Sequence, residues 1–144
     1  MAKLKVTVNV PLDPEAAWTH ASDLADYDKW LSIHEGWRSE LPDELTVGTT
    51  LESVAVVKGM RNRVRWTIEK YDPPRKLELK GNGKGGVKIG LKLSVGAGKS
   101  GGSDISLDID LGGAPLFGPI GSGVARALKG DIENSMKTFE SLYA

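Results

Sequence analysis

Between Leu51 and Leu111 five segments follow one another: LESVAVVK, RVRWTIEKY, KLELKG, VKIGLKLSV and DISLDIDL. Each is about six to nine residues of β-branched or alternating character, and only Gly59, Pro73 with Pro74, the run GNGKGG and the run GAGKSGGS separate them. Breaks this short leave little choice of topology. A parallel crossover takes about a dozen residues or more, so successive strands must pair antiparallel, as a meander. The carboxyl end then changes period. Ile120, Val124, Leu128, Ile132, Met136 and Phe139 recur at spacings of four, four, four, four and three, one apolar stripe on a long helix. Gly118 and Pro119 suit its start. About 25 residues at 1.5 Å each make a rod of roughly 37 Å, enough to cross the concave face of such a sheet.

The amino end supplies one more strand. Leu4, Val6, Val8 and Val10 alternate with Lys3, Lys5, Thr7 and Asn9, the period of a strand with one buried face. Asp13 is a good N-cap and Pro14 a good first helical residue, so a short helix is expected from there to about His20. Trp18 and Trp30 stand twelve positions apart. On one unbroken helix their rings would diverge by about 120°, so the stretch is expected to bend at Ser22 and Asp23, with a second short helix over roughly Leu24 to Leu31. A loop containing Gly36, Pro42 and Gly48 follows. Strand, two short helices, five strands and a long helix give an α+β fold with helices on one face of about six strands.

Several function classes are disfavoured by composition. Nineteen basic and nineteen acidic residues cancel, which argues against a partner held by bulk charge such as duplex nucleic acid or an anionic membrane. Without cysteine there is no disulfide framework, thiolate nucleophile or zinc-thiolate site. MAKLKVTVNV alternates instead of running apolar like a signal peptide, and no stretch of about 18 apolar residues exists to span a membrane. A cytoplasmic protein without cofactor or metal is the expectation.

Motifs with chemical overtones mostly resolve into turns and surface. GNGKGG matches G-x-G-x-x-G, but a strand rather than a helix follows it, so no helix N-terminus meets a pyrophosphate. GAGKS lacks the first glycine of a Walker A loop, since Leu93 stands there. Asp104, Ser106, Asp108 and Asp110 share a strand face, as do Lys88 and Lys92 on the strand before, which reads as a solvated cross-strand face rather than a cation site. Arg61, Arg63 and Arg65 line the face opposite Val64, Trp66 and Ile68; with Glu52 and Glu69 near, exposed surface is preferred over a phosphate contact. Of the two histidines, His20 suits the end of the first helix, and His34 in WLSIHEGW could act as acid, base or hydrogen-bond donor. Gly121 and Gly123, early in the last helix, admit either close approach of helix to sheet or a hinge with Phe117 as lid.

PLDPEAAWTHASDLADYDKW, then ELTVGTTLES, then WTIEKYDPPRKLEL, a meander and a long final helix together resemble the START-like superfamily. It is also called the SRPBCC or Bet v 1-like helix-grip superfamily, and this chain is most similar to its polyketide cyclase/dehydrase and lipid-transport branch. The likeness covers essentially residues 1–144 as one ligand-binding domain. WRSELP, VKGMRNRVRWTI, GGVK and LGGAPLFGPIG resemble an actinobacterial group in that branch, some of whose members are described as toxins of toxin-antitoxin pairs. The resemblance implies a curved sheet wrapped around the terminal helix and a deep cavity between them for an apolar or amphipathic ligand. In that frame the two bent helices plug one end, with Trp18 and Trp30 helping to close it.

By parity the inward residues of the later strands, Leu77, Leu79, Val87, Ile89, Leu91, Leu93, Ile105, Leu107, Ile109 and Leu111, include no acid, base or nucleophile. That favours a carrier of a lipid, fatty acid or polyketide over an enzyme. Trp66, Ile68, Leu79, Ile89, Leu91, Leu107 and Ile109 are the expected sheet-side contacts. Trp30, His34, Met60 and Phe117 would shape the mouth, and Val124, Leu128 and Ile132 the helical wall. The alternatives are a cyclase or dehydratase with His34 as acid or base, and a toxin with a small protein antitoxin as partner. Neither nucleic-acid binding nor stable membrane insertion is expected.

Overall fold

The computed structural model describes residues 2–57, 60–113 and 119–144, with side chains at 3–56, 61–113 and 123–144. Strand β1 (Ala2–Val10) leads into helix α1 (Pro14–Ala21), a 3₁₀ turn (Leu24–Asp26) and the single-turn helix α2 (Tyr27–Trp30). Strands β2 (His34–Trp37), β3 (Thr50–Val57), β4 (Met60–Asp72), β5 (Lys76–Gly83), β6 (Lys88–Ala97) and β7 (Ser103–Gly112) follow, and helix α3 (Pro119–Tyr143) ends the chain. This is the helix-grip architecture of the resemblance, a curved antiparallel sheet around a long terminal helix.

Local chemistry explains the early corner. Asp13 Oδ1 accepts from Ala16 N at 2.7 Å and Pro14 opens α1, so the first helix is capped as its sequence suggests. Asp23 Oδ1 accepts from Ala25 N at 3.2 Å and starts the second segment, which is a 3₁₀ turn passing into one α turn instead of one regular helix. The bend leaves Trp18 and Trp30 both buried, at different points of the same core. Trp18 packs toward Tyr71, with centroids 6.2 Å apart, and Trp30 sits edge-on to Phe139 at 5.2 Å.

The sheet has seven strands, in the order β1-β7-β6-β5-β4-β3-β2. The seventh is β2, in the stretch expected to be loop. Four residues, with a register shift between His34 and Gly36, carry too little alternation to announce a strand; pairing with β3 makes it one. β1 pairs with β7 without a break, from Ala2↔Leu111 to Val10↔Ser103. That register sets Lys3 opposite Asp110, Lys5 opposite Asp108 and Asn9 opposite Asp104 on the outward face. Lys92 also faces Asp108, whereas Lys88 faces Gly112 and has no aspartate directly opposite. Arg61 pairs with Glu35 and Arg63 with Glu52, each at 3.0 Å, on the exposed side of β4.

GNGKGG and GAGKSGGS end up where two hairpins turn, around residues 84–86 and 98–102. Inward, one glycine is required by packing. A Cβ on Gly81 would stand 2.6 Å from a Val64 methyl and 2.9 Å from both Trp66 and Ile89. Gly81 lies opposite Trp66 in the β4–β5 ladder, and its missing side chain is the space the indole uses. No helix among the described residues is long and apolar enough to cross a membrane.

Candidate functional site

α2 and β2 bring Tyr27, His34 and Trp37 together on the inner side of the sheet. Tyr27 stands three residues before Trp30, and their rings meet edge to face with centroids 5.1 Å apart. The His34 ring lies 4.6 Å from that of Trp37 and 6.3 Å from that of Tyr27. Trp37 Nε1 donates to Leu24 O at 2.7 Å, tying β2 to the helical corner. Ser32 N donates to Ser135 Oγ at 2.9 Å, and Tyr143 Oη donates to Asp26 Oδ2 at 2.9 Å, so the corner is also pinned to α3.

Beneath this group lies a void of about 20 Å³, bounded by Tyr27, Leu31, Ile33, His34, Trp37, Ser53, Ala55, Trp66, Leu79 and Leu91. That is room for about one water. Larger hollows of about 400 Å³ lie elsewhere: one beside the α1 corner among Asp23, Asp43 and Glu44, another on the outward side of the sheet around Gly90. Both are open to solvent and neither reaches the space between α3 and the sheet. The small void is the one that touches the inner face, and it is far smaller than the deep cavity the resemblance implies.

Polar groups at this place are short of partners. Tyr27 Oη, Trp30 Nε1 and His34 Nε2 are buried and accept or donate no hydrogen bond among the described residues. Each such group costs about 1–3 kcal/mol. His34 Nε2 stands 2.7 Å from Asp28 Oδ1, but the carboxylate lies off the N–H direction, so the contact is one of charge and not a hydrogen bond. Burial holds the His34 pKa below its usual value. Asp28 pulls the other way and loses, because its own carboxylate is 56% exposed and screened by water, while Arg38 adds to the lowering. Burial likewise pushes the Tyr27 phenol well above its ordinary pKa. Ser53 Oγ accepts from Trp66 Nε1 at 2.8 Å. A neutral imidazole, a neutral phenol and a serine hydroxyl are therefore set to exchange hydrogen bonds with an uncharged group.

Of the residues singled out from sequence, His34, Trp66, Leu79 and Leu91 meet at the void. Ile68, Leu107, Ile109, Leu128 and Ile132 are packed solid in the core, and Trp30, Ile89 and Val124 are buried in it without lining the void. Phe117 and the Met60 side chain lie outside the described residues. Sequence reasoning missed Tyr27, Trp37 and Ser53. Two of these left a signal: Ser53 is the polar residue on the inward parity Leu51, Ser53, Ala55, and Tyr27 shares a helical face with Trp30. Trp37 left none, since β2 itself was read as loop.

A family model described as polyketide cyclase / dehydrase and lipid transport matches residues 1–143. A protein from Mycobacterium tuberculosis strain H37Rv, named a toxin, is 52% identical over 144 residues, covering 100% of this chain and 99% of its own. An uncharacterized protein from the same strain is 50% identical over 143 residues, 99% of each chain. Among solved structures, a START superfamily protein from Mycobacterium smegmatis has a TM-score of 0.76 at 18% identity, covering 99% of this chain and 97% of that one, a likeness of fold.

Proposed function

The chain belongs to the polyketide cyclase/dehydrase and lipid-transport family, and from that premise we propose that it binds an apolar or amphipathic small molecule between α3 and the inner face of the sheet, the whole chain acting as one binding domain. One observation carries the reading. Residual exposure on the inner face is confined to the neighbourhood of the void, with Trp66 at 7% and Leu79 at 4%, while Ile68, Leu128 and Ile132 are at 0%. An interior already loosened at one apolar spot is where a lipid, fatty acid or polyketide gains most by leaving water.

Sites for such ligands enclose about 300–1,000 Å³. The void is about 20 Å³, so uptake on this reading requires α3 to move away from the sheet. Trp66, Leu79 and Leu91 would then line the opened space, with Val124 on the helical wall. Native mass spectrometry of the protein purified from its own host is the test, with a bound apolar compound as the expected result. Absence of any bound compound, together with no change in tryptophan fluorescence on titration with acyl chains, would overturn the reading.

A second reading rests on the relative named a toxin, 52% identical along the whole length. In it the protein is a toxin in the cytoplasm, neutralised by a small protein antitoxin. Induced expression should then arrest growth, and unaltered growth at high expression would remove it.

A further inference from the structure

The corner between α2 and β2 supports a statement about the ligand's chemistry, which rests on the carrier reading above. Four facts converge on the small void. Tyr27, 2% exposed, lines it, and its hydroxyl has no hydrogen-bond partner among the described residues. Ser53, also 2% exposed, lines it too; its oxygen is taken by Trp66 Nε1 and its own O–H is left to donate. His34 completes the polar side, with its Nε2 unsatisfied and its side chain 5% exposed. No lysine or arginine is among the lining residues; Arg38 is close enough to disfavour a charge on His34 but does not border the space.

The geometry points to a subsite for one uncharged oxygen of the ligand, a hydroxyl or carbonyl, held by Tyr27 and Ser53 with the hydrocarbon running toward Trp66, Leu79 and Leu91. The volume suits it, since about 20 Å³ takes one oxygen and little more. Charge decides against an ionised carboxylate or phosphate. Such a group would be buried against neutral donors only, with the Asp28 carboxylate just behind His34, and an unpaired buried anion is strongly disfavoured. Trp30 Nε1, the third unpartnered atom, does not border the void and takes no part.

The probes are 1-decanol and decanoate, titrated into the full chain and followed by tryptophan fluorescence, with wild type beside Tyr27→Phe. Removing an unpartnered buried hydroxyl should leave the melting temperature unchanged or higher, while 1-decanol binding weakens about tenfold and decanoate binding does not change. Wild type should also prefer 1-decanol by at least about tenfold. Equal affinity for both compounds, or a Tyr27→Phe protein that binds 1-decanol like wild type, overturns the subsite and leaves the carrier reading standing. If neither compound binds wild type, both ideas fall together. Ser53→Ala, a second variant, should weaken 1-decanol in the same sense even though it costs stability by freeing Trp66 Nε1.

Discussion

Trp66 shows how much a single inward position depends on its neighbours. Its parity with Val64 and Ile68 is plain in RVRWTIEK, yet the room for its ring comes from Gly81 on the next strand. Gly81→Ala should therefore destabilise the protein by about 1–3 kcal/mol, read as a lower urea midpoint with an unchanged slope. His34 sets a pH response. With its folded pKa held below the ordinary 6.5, the unfolded chain takes up the proton first as the solution is acidified. Stability is thus full above about pH 6.5 and declines below it until the folded ring titrates as well. Asp131, whose carboxyl is raised by burial from 3.8, acts in the opposite sense but at lower pH. Urea melts at pH 7 and about pH 5.5 should show the loss in wild type, and a His34→Gln protein should lack it; the same loss in both would assign it elsewhere. The imidazole was legible as a polar group near the site, whereas its burial and its off-line carboxylate were not.

At the scale of elements, the helices ended close to where their chemistry put them. Pro119–Tyr143 is the span that the four-residue stripe and its leading proline predict, because a long amphipathic helix carries its own period and its own cap signals. α2 departs from expectation: Tyr27–Trp30 is one turn, too short to hold itself, and the corner is fixed by hydrogen bonds from Trp37 and Ser135 far along the chain. Strand β2 is invisible for the same reason. Gly130 offers a test within α3. A Cβ there would meet nothing within 4 Å, so Gly130→Ala should raise stability by about 0.5–1 kcal/mol, seen as a higher melting temperature. A lower one would mean that the helix needs the glycine's freedom.

Across the whole molecule, the longest-range decision is that β1 closes onto β7, joining residues 2–10 to residues 103–111. Nonlocal pairing of this kind is slow to find, so refolding from urea should take milliseconds to seconds by stopped-flow fluorescence, and a microsecond phase carrying the full amplitude would contradict it. The pairing also aligns Lys3 and Lys5 with the aspartates of β7, a charge pattern no single strand announces. What the amino-acid order determined alone was everything periodic: which stretches are strands or helices, which face of each is apolar, and that short turns force an antiparallel meander under a terminal rod. Only the tertiary structure decided that β2 is a strand, that Tyr27, His34 and Ser53 meet, and that the space between them is small. The physical reason is that periodicity is carried by near neighbours along the chain, whereas a void and its unpaired polar atoms are what remains after residues distant in sequence have packed.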